Sequence, residues 1–85
     1  MSWRIMAEVF DTDLPATEKF VLLAIANFVN DKKGYAWPSQ ETLASKTSLS
    51  RQTVNKAIKK LKQKSILISQ RRSEKGKSTS NLYRI

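Results

Sequence analysis

Residues 38–64 read PSQETLASKTSLSRQTVNKAIKKLKQK, and this stretch decides the fold. It predicts two helices joined by a tight turn. Ser39 is an N-cap: its hydroxyl accepts an orphan backbone N–H one turn in. Glu41 then sits near the positive end of that helix. Leu43 and Ala44 are the apolar residues of the first helix, and Lys46, Thr47, Ser48 and Leu49 interrupt the pattern. Ser50 is a second N-cap. After it, Val54, Ala57, Ile58 and Leu61 recur at i, i+3, i+4 and i+7, one face of a helix. Gln52, Lys56, Lys59 and Gln63 fall on the opposite face, with Asn55 and Lys60 beside them. Small Ala44 lets the two backbones approach, while Leu49 and Val54 plug the corner.

Two helices packed in this way form a helix-turn-helix, whose second helix lies in a DNA major groove. The charge pattern favours that over an ordinary helical hairpin with a solvated face. No acidic residue occurs from Lys46 to Lys64. A helix built only for solubility mixes Glu with Lys in i, i+4 pairs. Here Lys56, Lys59, Lys60 and Lys64 repel one another, which implies an anionic partner.

The whole chain carries the same asymmetry. Residues 1–31 hold two cations against five anions, a net of −3, and residues 32–85 hold fourteen against two, a net of +12, together the +9 of the 85-residue chain. A half this basic is an electrostatic footprint for nucleic acid or an anionic membrane. A membrane-surface helix carries Trp, Phe or Leu opposite its lysines. Here that face is needed for the core, so nucleic acid is favoured. The length predicts one domain, residues 1–85. There is no cysteine and no histidine, which removes disulfides, thiolate chemistry and nearly every zinc site. No cofactor or metal is expected. With no His to serve as a base and only Gly34 and Gly76 for a phosphate loop, catalysis is the poorest reading. No apolar run reaches the length of a membrane span, and Glu8, Asp11 and Asp13 exclude a signal peptide, so a reducing cytoplasm is expected.

Around the central stretch, residues 1–13 predict an arm or short helix, with Trp3 as core cover. Asp11 and Asp13 read as caps rather than metal ligands. Residues 16–30, ATEKFVLLAIANFVN, predict the strongest helix, apolar on most sides and hence the spine of the core. Gly34 suits a positive φ, and Tyr35, Ala36 and Trp37 form a brief β-like segment before Pro38. Residues 66–72 and 80–85 predict two strands flanking a polar loop at 73–79, a two-stranded wing over residues 66–85. Leu23, Ile25, Val54, Ile58, Leu61 and Ile66 are the expected core. The predicted fold class is therefore mainly α with a small β-hairpin: a three-helix core plus wing, with a short N-terminal helix and the helix-turn-helix at 39–64.

ATEKFVLLAIANFVND, YAWPSQETLASKTSLSRQTVNKAIKKLKQKSIL and SNLYRI resemble the N-terminal winged helix-turn-helix domains of phage and plasmid replication initiator proteins. Those share T-x-K-x-V-L-L-A-L-A, W-P-S-x-x-T-L-A and S-x-x-T-V-x-x-A-I-x-x-L ending in G-L-I. The resemblance spans residues 15–85. The P-S-x-x-x-L-A and S-R-x-T-V elements are also similar to repressors of the GntR type. Ser48 and Ser65 stand where both families carry glycines.

The resemblance implies base readout by Ser50, Arg51, Gln52, Thr53, Asn55 and Lys56. Side-chain chemistry agrees: Gln and Asn pair bidentately with adenine, and Arg with guanine. Lys59 and Lys60 would hold phosphates, as would the backbone N–H groups at Ser39 and Gln40. Arg71, Arg72, Lys75 and Lys77 would make the wing contacts. The expected function is sequence-specific binding of double-stranded DNA at repeated sites, as the origin-binding domain of a replication initiator in a bacterial or phage-infected cell, on the nucleoid. A transcriptional repressor is the runner-up, and a winged-helix protein-interaction module comes third. The free domain is expected to be monomeric, assembling side by side on DNA and meeting replication or regulatory proteins there.

Overall fold

Two serines start the two central helices in the same way. In the computed structural model, which describes residues 3–30, 32–70, 73–74, 77–78 and 82–85, Ser39 precedes α3 (Gln40–Thr47) and Ser50 precedes α4 (Arg51–Gln63). Ser39 Oγ accepts from Thr42 N at 3.0 Å and donates to Thr42 Oγ1 at 2.9 Å. Ser50 Oγ repeats both bonds with Thr53, at 3.1 and 2.9 Å. Each S-x-x-T unit thus satisfies an orphan amide of the first turn.

The turn between these helices is shorter than the sequence pattern suggests. Lys46 and Thr47 are helical. Thr47 is buried because its hydroxyl donates back to Leu43 O at 2.7 Å and accepts from Leu49 N at 3.3 Å, which ties the helix end to the turn. Ser48 makes the reversal at φ 61°. Ser65 does the same after α4, at φ 59°. There Ser65 N donates to Lys62 O and Ile66 N to Leu61 O, the two bonds of a Schellman cap. Serines in the glycine positions therefore adopt the left-handed geometry that glycine takes freely.

The spine is α2 (Ala16–Asn27), which packs against α1 (Trp3–Asp11), α3 and α4. It ends three residues before the expected Asn30. Phe28 N and Val29 N donate to the carbonyls of Ile25 and Ala26, bonds of i→i−3 type that tighten the last turn. Asn30 Oδ1 then accepts from Lys32 N and Lys33 N, both at 3.0 Å, and Gly34 follows at φ 78°. An Asn side chain that captures the following amides ends a helix.

The core joins Val9 of α1, Val21, Leu22 and Ile25 of α2, Leu43 of α3, and Val54, Ala57, Ile58 and Leu61 of α4. Each large side chain buried there contributes about 1.5–3 kcal/mol. Ile25, Val54, Ile58 and Leu61 are core residues as expected, but Leu23 and Ile66 are only partly buried. Leu67 rather than Ile66 takes the inner place after the Schellman turn. Trp3 is not core cover: it is 76% exposed, and Phe10 is 60% exposed. Ile5 and Val9 are the residues that α1 turns to the core.

Among the described residues, the first wing strand starts two residues later than predicted, at Ile68, and the last ends one residue earlier, at Arg84. β1 (Ile68–Gln70) pairs antiparallel with β4 (Leu82–Arg84), Ser69 opposite Tyr83. The span expected to be a polar loop contains a second ladder: β2 (Ser73–Glu74) pairs with β3 (Lys77–Ser78). Backbone pairing thus occurs within 73–78, where side-chain polarity suggested a loop. The β-like segment is a third edge, since Ala36 and Tyr83 exchange backbone bonds of 2.9 and 2.7 Å. This pins the wing to the entrance of α3.

Candidate nucleic-acid interface

Val54, Ala57, Ile58 and Leu61 take the inner side of α4, so the outer side is defined by what remains. Arg51, Gln52, Lys56, Lys59, Lys60 and Lys62 are exposed, and Thr53 and Asn55 are half-buried at its edge. At 1.5 Å per residue, thirteen residues make a rod about 20 Å long, and an α-helix about 10–12 Å across fits the major groove. Ser50, Arg51, Gln52, Thr53, Asn55 and Lys56 are brought together on its first two turns, with Lys59 and Lys60 one turn further on.

Not all of these side chains are equally available. The Ser50 hydroxyl is occupied by the cap, as donor and as acceptor. Thr53 Oγ1 accepts from Ser50 and keeps its own proton as a donor. Asn55 Oδ1 receives Gln40 Nε2–H at 3.4 Å, and Arg51 Nη1 donates to Glu41 Oε1, also at 3.4 Å. Gln52, Lys56, Lys59 and Lys60 extend from the outer face.

The start of α3 lies beside this face, as the Gln40 to Asn55 contact establishes. The first-turn amides of Gln40 and Glu41 have no acceptor within the helix. Lys33 sits close to the same corner, its Nζ 5.3 Å from the ring centre of Trp37. Sequence reasoning assigned Lys33 no role, and the cation-to-ring contact is not legible from its place in a Lys-Lys-Gly turn. It also missed Glu41 as a partner of Arg51. Of the wing cations, Lys77 has its backbone in β3 opposite Glu74. Arg71, Arg72 and Lys75 lie outside the described residues.

A family model described as Helix-turn-helix domain matches residues 12–67, well over half of the chain. The chain belongs to this helix-turn-helix family. The matched span runs from just before α2 to the first residues after α4, and so contains the spine and both capped helices. A solved structure of a protein described as a possible transcriptional regulator, from Methanosarcina mazei Go1, is similar to the helix-turn-helix chain with a TM-score of 0.56 at 21% identity. It covers 96% of this chain, which spans 62% of that protein's own chain. At this identity the likeness is one of fold, and it extends over the wing as well. No curated protein matches the chain.

The electrostatics of the helix-turn-helix domain are divided. The acid-free α4 presents its cations outward, while the described acidic residues of the first half, Glu8, Asp11, Asp13 and Glu18, lie on α1, between α1 and α2, and on α2. Glu18 is buried and paired with Lys64 at 2.7 Å, so it adds no free negative charge near the interface. Among the described residues, no helix is long and apolar enough to cross a membrane.

Proposed function

We propose that residues 1–85 act as one domain that binds double-stranded DNA in a sequence-specific manner, with α4 in the major groove. The observation that carries this is the outer face of α4, where Arg51, Gln52, Asn55 and Lys56 converge without a carboxylate on the same helix. Arg, Gln and Asn are the side chains that read base edges, while Lys59, Lys60 and the amides at the start of α3 position the duplex through phosphates. Ser50 and Thr53 hold the N-terminus of α4 and offer a hydroxyl donor there. Arg71, Arg72, Lys75 and Lys77 act from the wing. The domain binds rather than catalyses, needs no cofactor, and works in the cytoplasm on the nucleoid.

The role we infer is origin binding in a phage or plasmid replication initiator, at repeated sites and beside replication proteins. Its support is the sequence resemblance of residues 15–85. A second reading, regulation of transcription, draws support from the described role of the Methanosarcina mazei protein of similar fold. Selection from a randomised duplex library tests the binding reading, and failure to enrich any sequence overturns it. Mapping the enriched site onto the DNA that carries the gene separates the two roles. Tandem direct repeats beside an origin favour initiation; a single operator over a promoter favours regulation. Sedimentation of the free domain should give a monomer.

A further inference from the structure

The two residues best suited to read bases are both held by the preceding helix. Asn55 and Arg51 are four apart on α4 and therefore lie on one side of it. Gln40 and Glu41 are consecutive in the first turn of α3. Gln40 Nε2 donates to Asn55 Oδ1 and Arg51 Nη1 donates to Glu41 Oε1, each at 3.4 Å. We propose that the side chains of Gln40 and Glu41 are positioning residues for base readout: Gln40 orients Asn55, and Glu41 restrains Arg51 until the correct base pair replaces it. This rests on the reading that α4 enters the major groove.

The two contacts have opposite consequences on DNA. A carboxamide oxygen has two lone pairs, so Asn55 Oδ1 can keep the Gln40 bond while accepting from adenine N6. Its Nδ2 remains free to donate to N7, which completes the bidentate pair. The Gln40 bond, long at 3.4 Å, therefore favours the Asn55 orientation that aims Oδ1 at Gln40, and it is compatible with docking. Glu41 differs because both of its carboxylate oxygens are acceptors and a base edge or phosphate competes for the same guanidinium. The pair is exposed, 64% at Arg51 and 76% at Glu41. At 3.4 Å in water such a hold is weak and salt-screened. Guanine, with O6 and N7 in a fork that matches Arg, displaces it readily. A lone phosphate on a wrong sequence competes less well and leaves Arg51 more often on Glu41. Because only a duplex that engages Arg51 has to break the pair, Glu41 lowers affinity for the specific site more than for a non-specific one.

The test compares the wild type with Gln40→Ala, Asn55→Ala, the double variant Gln40→Ala/Asn55→Ala, and Glu41→Gln. The probes are the duplex enriched from the randomised library, its single base-pair variants, and a scrambled duplex. Asn55→Ala should remove a preference of roughly ten-fold at one base pair. Gln40→Ala should remove part of the same preference at the same base pair, and the double variant should lose little more than Asn55→Ala alone. Glu41→Gln should tighten binding to the enriched duplex by about two- to five-fold and to the scrambled duplex by less. Gln40→Met, with a side chain of similar length and no donor, should behave as Gln40→Ala does and separates loss of the bond from loss of packing; thermal melts confirm that each variant folds. Additive effects of Gln40→Ala and Asn55→Ala, or effects at different base pairs, overturn the assignment to Gln40. Equal tightening to both duplexes by Glu41→Gln reduces Glu41 to general repulsion and overturns its part. A wild-type domain that does not discriminate the enriched from the scrambled duplex overturns the DNA reading itself, and is seen before any variant is made.

Discussion

Lys64 Nζ lies 2.7 Å from Glu18 Oε1, although 46 residues separate them. Lys64 caps the end of α4 and Glu18 stands in the first turn of α2, so the pair fastens the far end of the DNA-facing helix to the spine. Glu18 is 4% exposed and Lys64 remains partly in water. The carboxylate has therefore given up more solvation than the ammonium.

That imbalance predicts unequal costs for the two halves of the pair. Lys64→Met strands a buried carboxylate and should destabilise by about 1–3 kcal/mol. Glu18→Gln keeps an acceptor for Lys64 and should cost less than about 1 kcal/mol. For a domain of this size 1 kcal/mol shifts the melting temperature by about 4–8 °C, so thermal denaturation resolves the two. Equal melting of both variants with the wild type removes the pair from any structural role.

Ser48 and Ser65 offer a gain. Both hold the left-handed conformation, which costs an ordinary L-residue about 1–2 kcal/mol, against about 0.5–1 kcal/mol for the extra freedom glycine loses on folding. Ser48→Gly and Ser65→Gly should each stabilise by about 0.5–1 kcal/mol, measured by urea denaturation. Gly34→Ala is the converse. A Cβ at Gly34 would meet nothing within 4 Å, so its loss of about 1 kcal/mol comes from the positive φ alone.

Gln52 reaches outward from α4 with no hydrogen bond to α3 among the described residues, unlike Asn55. Gln52→Ala should relax preference at one base pair by about 1–3 kcal/mol while leaving the melting temperature unchanged. Equal loss of affinity for the enriched and scrambled duplexes would remove Gln52 from the readers and place the groove-facing edge of α4 elsewhere.

The phosphate contacts should appear in the salt dependence. Each neutralised phosphate contributes about 0.9 to the slope of log affinity against log salt. Changing Lys59 and Lys60 to Ala should flatten that slope by about two units if both meet backbone. Changing Arg71, Arg72, Lys75 and Lys77 together should flatten it by about two to four. A folded quadruple variant with an unchanged slope leaves α4 as the sole carrier of the duplex.

What the sequence determined by itself is local. Ser39 and Ser50 mark their helix starts because capping joins residues three apart. The inner face of α4 is legible because Val54, Ala57, Ile58 and Leu61 repeat with the helical period. What the tertiary structure decided is which distant groups meet. The sequence offers five other lysines within the span 46–63, and the rest of the tail, as equivalents of Lys64, and only the packing of α4 on α2 brings this one to Glu18. Nothing in PSQETLAS marks Gln40 and Glu41 as partners of Asn55 and Arg51. Their contacts exist because Ser48 turns α3 back against α4. The wing shows the same division. β-branched and apolar residues announced strands, but hydrogen bonding between backbones set their bounds, and no side-chain signal records the bond between Ala36 and Tyr83. Periodicity and caps are properties of a few consecutive residues; partner choice depends on the geometry of the closed chain.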